Sequence, residues 1–276
     1  MNPFDAGILS FFNGFARHSR LFDSLVSLSA SNQLTKGGVI TALFWWSWSR
    51  RGSARPRDRE YLVAGLFSSL LAVFVARGLS VLVPFRERPL RNLALNFLIP
   101  YGTDSDALIH WSSFPSDHAA IFTALSVSIL FVSRRAGLLA LGYSLLVICL
   151  PRVYMGIHYP TDILAGVAIG ACLACLVKID AFRSAVSRPA LSGLERSPGA
   201  FHALLFLLTF QIAATFDPLR VIARGLIEMA RPRALSSSKD VQAVGNAPLD
   251  TGLGNQGDRR RLAADRDVAL EPVVDH

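Results

Sequence analysis

The sequence predicts an all-α integral membrane bundle of about six transmembrane helices, with an amino-terminal interfacial helix. Three observations point there. Charged residues make up only 17% of the 276 residues, where a soluble domain carries about a quarter. Hydrophobic residues reach 51% and mean hydropathy is +0.39, too apolar for a disordered chain. Several apolar runs also approach the ~20 residues that a spanning helix needs, and such a run satisfies its backbone hydrogen bonds internally.

Taken in order, residues 1–33 form the interfacial segment. Ile8, Leu9, Phe11, Phe12 and Phe15 give residues 5–30 an apolar face, interrupted by Asn13, Arg17, His18 and Arg20. Residues 1–10 lack the basic leader and apolar stretch of a cleavable signal. The first span is expected over 34–50, with Trp45, Trp46 and Trp48 at its end as an interfacial belt. The other spans are expected over 61–85, 116–133, 136–155, 160–178 and 201–221, and residues 178–199 are expected as a loop. The spans define a domain over 34–225. Residues 226–276, rich in Asp, Arg, Ser, Gly and Pro, are expected as a flexible basic and polar tail. Arg259, Arg260 and Arg261 are too few and too mixed with acids to indicate a nucleic-acid partner.

The net charge of +8 bears on orientation. The loops 50–60, 134–135 and 178–199 carry eleven basic residues, against four in loops 86–115 and 151–159. The positive-inside rule puts the first set in the cytoplasm. Cys149, Cys172 and Cys175 lie in apolar runs and read as small packing residues, with no second ligand pair for zinc.

Three patches fall together on the less basic side. They are Arg86-Glu87-Arg88-Pro89, then Phe114-Pro115-Ser116-Asp117-His118, then Arg152 with His158 and Asp162. Arginines fork onto phosphate oxygens. The helix start at Pro115-Ser116 offers free N–H groups and a positive dipole end to an anion. Pro160 suits a first helical turn. Asp162 then lies about one turn beyond His158, where a carboxylate can reach an imidazole N–H and fix its tautomer. Two histidines among arginines suit phosphoryl transfer without a metal: one imidazole attacks phosphorus and the other protonates the leaving oxygen. His118, His158 and Asp162 have the donor types of a metal site, but neighbouring arginines repel a cation.

Together the patches resemble the tripartite signature of the type 2 phosphatidic acid phosphatase (PAP2) superfamily, Lys-x6-Arg-Pro, Pro-Ser-Gly-His and Ser-Arg-x5-His-x3-Asp. The matches are Arg88-Pro89, Pro115-Ser116 with His118, and Arg152, His158 and Asp162. The resemblance covers roughly residues 60–180 in motifs. It implies a lipid-phosphate phosphatase with His158 as nucleophile, His118 as general acid and then base, and Asp162 orienting His158. It also implies that Arg88, Arg152 and Ser116 hold the phosphate, with no metal or other cofactor.

Three positions depart from the pattern. Val81 stands where the motif lysine belongs, and Arg77 lies one helical turn earlier on the same face. Arg77 or Arg86 is the expected substitute. Asp117 replaces glycine and Pro151 replaces serine.

The arrangement looks most like bacterial undecaprenyl-pyrophosphate phosphatases. That implies a plasma-membrane enzyme with an extracytoplasmic site and a lipid phosphate or pyrophosphate as substrate. Phosphatidylglycerol phosphate, phosphatidic acid and lipid A phosphates are alternative substrates. A vanadium haloperoxidase with the same pocket is the other enzyme reading. A transporter or anionic-lipid binder is the non-enzymatic alternative, and it would not require the set His118, His158 and Asp162.

Overall fold

The computed structural model describes residues 2–50, 56–104 and 111–215. The tail expected over 226–276 lies outside the described residues. Among the described residues all regular structure is helical.

The amino-terminal segment folds as two helices rather than one, α1 (Pro3–Asn13) and α2 (Arg20–Ser31). The break follows from local chemistry. Gly14 closes α1, Arg17 takes a left-handed φ of 64°, and the Ser19 hydroxyl caps α2 by accepting from Phe22 N–H. The buried Asp23 carboxylate accepts from the Arg17 and Tyr101 N–H groups, each at 3.0 Å, and from the Tyr154 hydroxyl. This one acid therefore ties the amino-terminal turn to two distant parts of the chain.

A π-helical turn (Leu34–Gly38) leads into α3 (Val39–Ser49). Next come α4 (Pro56–Leu82), α5 (Asp117–Val132), α6 (Arg134–Tyr154), α7 (Pro160–Lys178), α8 (Asp180–Arg196) and α9 (Pro198–Ala213). By length and composition α4, α6 and α7 are each long and apolar enough to cross a membrane, and α5 and α9 are shorter apolar helices. The segment read as a loop over 178–199 is in fact α8. Val186, Ala190 and Leu194 recur every four residues, and Ala190 and Leu194 pack on the main core.

That core gathers Ile40, Phe44, Leu62, Leu66, Phe122, Leu125 and Ile148 from α3 to α6. α5 is central, packed on both α4 and α7. The α5–α7 contact needs glycine: a Cβ on Gly166 would collide with the Ser116 carbonyl and Ala119, and one on Gly170 with the Ala120 carbonyl. This close approach sets the first turns of α5 and α7 side by side.

α6 contains a π-helical stretch (Ser144–Cys149) just before Pro151. Proline has no N–H for the carbonyl four residues back. Within the same turn the Ile148 carbonyl accepts from the Arg152 guanidinium.

Candidate active site

The three sequence patches meet at one end of the bundle because their backbones are laced together. Ser113 N–H donates to the Arg86 carbonyl at 2.8 Å, and Leu90 N–H to Gly156 at 2.9 Å. Ser116 N–H, at the start of α5, donates to the Asp162 carbonyl at 3.1 Å in the first turn of α7. These bonds join segments that are tens of residues apart in sequence.

His158 is buried in the turn between α6 and α7. Its Nδ1 lies 2.8 Å from the Ser113 carbonyl. A carbonyl only accepts, so Nδ1 carries the proton and Nε2 keeps the lone pair. Asp162 Oδ2 stands 3.7 Å from the same nitrogen, too far for a hydrogen bond but close enough for electrostatic support. The direct bond expected from sequence is therefore replaced by the Ser113 backbone.

Asp162 acts on that backbone. It accepts from the Ser113 hydroxyl and, at 2.8 Å, from Tyr159 N–H. Burial, followed by the charge of Arg88, lowers the His158 pKa below the usual histidine value, against the opposing pull of Asp162. Both effects favour the neutral imidazole.

Arg86 does not stand free for phosphate. It donates to Asp162 at 2.5 Å, to the Thr161 hydroxyl at 2.9 Å and to Asp5 at 2.7 Å, and it lies 3.9 Å over the Tyr159 ring. Asp5, on α1, is fully buried and also accepts from Thr161 N–H at 2.9 Å and from its hydroxyl at 2.7 Å. α1 thus contributes a carboxylate to the network behind the histidine. Sequence reading missed Asp5, since no local spacing connects it to residues 81 and 156 positions away. It also missed Ser113, whose contribution is partly a backbone carbonyl.

His118 sits in the first turn of α5, behind the Ser116 cap. The buried Ser116 hydroxyl accepts from Ala119 N–H at 3.4 Å. The His118 Nδ1 lies 2.9 Å from Asp117 Oδ1, which also accepts from His118 N–H. Asp117 is therefore turned toward His118. Its second oxygen pairs with Arg77, whose guanidinium lies 4.4 Å over the Trp111 ring. Val81, at the motif-lysine position, is 83% exposed and turned away from these groups.

Arg88 is buried and donates to the carbonyls of Ile157 at 2.7 Å and Ser112 at 3.3 Å. Its Nε is buried without a hydrogen-bond partner. Burial pushes its pKa down to about 10 against the opposing charges of Asp117 and Asp162, so it stays a cation at neutral pH. Arg152, also buried, is within electrostatic range of Arg88. Among the described residues no three His, Cys, Asp or Glu side chains group as a cation site requires.

Apolar helices thus gather two imidazoles, three carboxylates and four arginines at one end of the bundle, a set of groups suited to an anion. Among known proteins, residues 61–185 match the model of the PAP2 superfamily. Over 164 residues the chain is 27% identical to undecaprenyl-diphosphatase BcrC of Bacillus subtilis, covering 59% of this chain and 77% of that protein. It is 34% identical to decaprenylphosphoryl-5-phosphoribose phosphatase of Mycobacterium tuberculosis over 121 residues, which are 44% of this chain and 61% of that one. Lipid A 1-diphosphate synthase of Escherichia coli is 29% identical over 175 residues, 59% of this chain and 70% of that protein. The chain thus spans from three fifths to about three quarters of these relatives. No solved structure matches it.

Proposed function

We propose that this protein is an integral membrane lipid-phosphate phosphatase working through a phosphohistidine, with a polyprenyl diphosphate as its preferred substrate class. The observation that carries the reading is the arrangement of the two imidazoles. Each has Nδ1 on an oxygen, the Ser113 carbonyl for His158 and Asp117 for His118, leaving both Nε2 atoms for chemistry.

In the first step His158 Nε2 forms a bond to phosphorus as the bond to the leaving oxygen breaks. His118, protonated on both nitrogens, gives its Nε2 proton to that oxygen. In the second step neutral His118 takes a proton from water. The water oxygen bonds to phosphorus, inorganic phosphate leaves, and His158 is restored. Arg88, Arg152 and the N–H groups at the start of α5 balance the charge on the phosphoryl oxygens. No step calls for a metal ion.

The lipid substrate is supported by the apolar helices and by the relatives' names, two of which refer to polyprenyl compounds. The remaining readings from sequence belong to this proposal: six spans within a domain over 34–225, an interfacial segment over 1–33, and a site on the extracytoplasmic face of a bacterial plasma membrane. The basic loops at the opposite end from the site support that orientation.

The test is phosphate release by the purified protein from a panel of undecaprenyl diphosphate, phosphatidylglycerol phosphate, phosphatidic acid and lipid A. Release should be fastest from the polyprenyl diphosphate, persist in EDTA and vanish in His158→Ala. Activity surviving in His158→Ala would end the covalent mechanism, and a strict requirement for added metal would end the metal-free one.

A further inference from the structure

A second basic cavity lies at the far end of α4 from the active site. The carboxyl end of α3, the first turn of α4 and the first turn of α9 enclose about 360 Å³, lined by Trp45, Trp48, Ser49, Arg50, Arg59 and His202. Arg59 and the end of α4 at Leu82 are 23 residues apart, about 35 Å of helix. That distance spans the hydrocarbon core of a bilayer, roughly 30 Å. The cavity therefore cannot serve the headgroup bound at Arg88.

Its walls are fixed and its charge is uncompensated. Trp45 Nε1 donates to the Thr209 hydroxyl at 3.1 Å, which sets the indole. Arg59 lies 5.3 Å over the Trp48 ring and Arg50 lies 5.0 Å over Trp46. Among the described residues no carboxylate pairs with either arginine, and Arg59 Nε is buried without a hydrogen-bond partner. The nearby acid Glu60 is instead engaged by Arg183 at 3.3 Å. His202 Nδ1 donates to the Pro198 carbonyl at 2.8 Å, which leaves Nε2 for a ligand. Two guanidiniums and an imidazole on indole walls make a receptor for an anion.

The surroundings say which anion. Trp48 stacks on Phe201, with centroids 5.9 Å apart. Beyond Phe201 runs an apolar groove of about 470 Å³, lined along α4 by Val63, Leu66 and Phe67 and along α9 by Leu204 and Leu208. Phe67 and Leu204 are more than half exposed. From Arg59 to Phe67 is eight residues, about 12 Å along the helix. A polar pocket at the membrane surface thus opens onto an apolar channel directed toward the bilayer centre. A free phosphate would use only the pocket.

We propose that this cavity and groove together bind an anionic phospholipid of the leaflet opposite the active site, its phosphate on Arg50, Arg59 and His202 and one acyl chain along Phe67 and Leu204. Charge complementarity and the two-part shape both favour that occupant. The site is separate from the catalytic chemistry and independent of which lipid phosphate is hydrolysed.

The tryptophans supply the readout. The full-length protein is reconstituted in phosphatidylcholine vesicles containing a minor fraction of brominated lipid, either phosphatidylglycerol or phosphatidylcholine. Brominated phosphatidylglycerol should quench the indole fluorescence more strongly, with a relative affinity about fivefold higher, the order expected from one desolvated cationic contact. Arg50→Gln/Arg59→Gln should bring the ratio to one while phosphate release stays at the wild-type level. Leu204→Phe, which narrows the groove without adding an indole, should also weaken phosphatidylglycerol quenching. Added inorganic phosphate should leave the preference unchanged. Equal quenching by the two brominated lipids in the wild-type protein overturns the proposal, whether or not the variants fold. So does loss of the preference in inorganic phosphate, which would make the cavity a simple anion site.

Discussion

Asp5 offers the sharpest test of how the site is held, because it lies outside the segment that matches the family and touches no substrate-facing group. Asp5→Ala removes a fully buried carboxylate that accepts from Arg86, from Thr161 N–H and from the Thr161 hydroxyl. Net hydrogen bonds to a charged group contribute about 1.5–3 kcal/mol each. The Arg86 side chain is 29% exposed, so water replaces part of its lost partner. Thr161 is half-buried as well, so water makes good part of each loss, and the destabilisation expected is about 3 kcal/mol, below the sum of three such bonds.

The effect on rate comes through one further link. Without Asp5, Arg86 is less firmly held against Asp162, and Asp162 in turn positions Ser113, whose carbonyl holds the His158 tautomer. If about 1.4 kcal/mol of the loss is felt at the transition state, kcat falls about tenfold. KM should change little, since the groups facing phosphate are intact. The assay is initial-rate phosphate release in lipid vesicles, normalised to folded protein, alongside thermal unfolding. Asp5→Glu should recover part of the rate. A lowered melting temperature with unchanged kcat would refute the positioning role and leave Asp5 as a docking contact only.

Three further outcomes are expected. The acid limb of the kcat/KM pH profile should fall below the ordinary histidine value of about 6.5, because neutral His158 is the attacking form and its pKa is lowered by burial; an acid limb at or above that value would contradict a buried, neutral nucleophile. Asp117→Gly, which restores the family residue, should lower kcat about tenfold by releasing Nδ1 of His118, and a gain in rate would show that Asp117 hinders the site. Gly166→Ala should cost about 1–3 kcal/mol, read as a lower melting temperature, because its Cβ meets the Ser116 backbone rather than a flexible side chain.

The parts of the site legible in the sequence are those with local spacing. Asp162 follows His158 by four residues, and Ser116 precedes His118 by two, so short motifs and helix caps predict their neighbourhood. The bundle was legible through apolar runs, and α4, α6 and α7 lie close to expected spans. Other features depend on tertiary contact. Asp5 reaches Thr161 across 156 positions, and Ser113 serves through a carbonyl that every residue possesses. α8 was missed for another reason: its polar composition hid the four-residue recurrence of Val186, Ala190 and Leu194. The division at residues 14–19 did carry a local signal, a glycine followed by a serine cap, but the apolar face running through it masked the break.

The departures from the family pattern gain meaning when taken as pairs. Sequence assigned Arg88 and Arg152 to phosphate and offered Arg77 or Arg86 in place of the motif lysine. In the structure Arg77 is paired with Asp117, and Arg86 with Asp162 and Asp5. Each of these arginines therefore neutralises an acid that stands behind a histidine. Arg88 differs: it is held by backbone carbonyls, which fix the guanidinium without cancelling its charge. An aspartate in place of glycine would by itself oppose phosphate binding. With Arg77 one turn from the vacant lysine position, the pair leaves little net charge and gives His118 an acceptor at Nδ1. Arg77 and Asp117 thus form one unit, a carboxylate on His118 Nδ1 with its own counter-charge. Arg77→Ala should accordingly be more damaging in the wild-type background than in Asp117→Gly, and equal losses in the two backgrounds would show the residues to be independent.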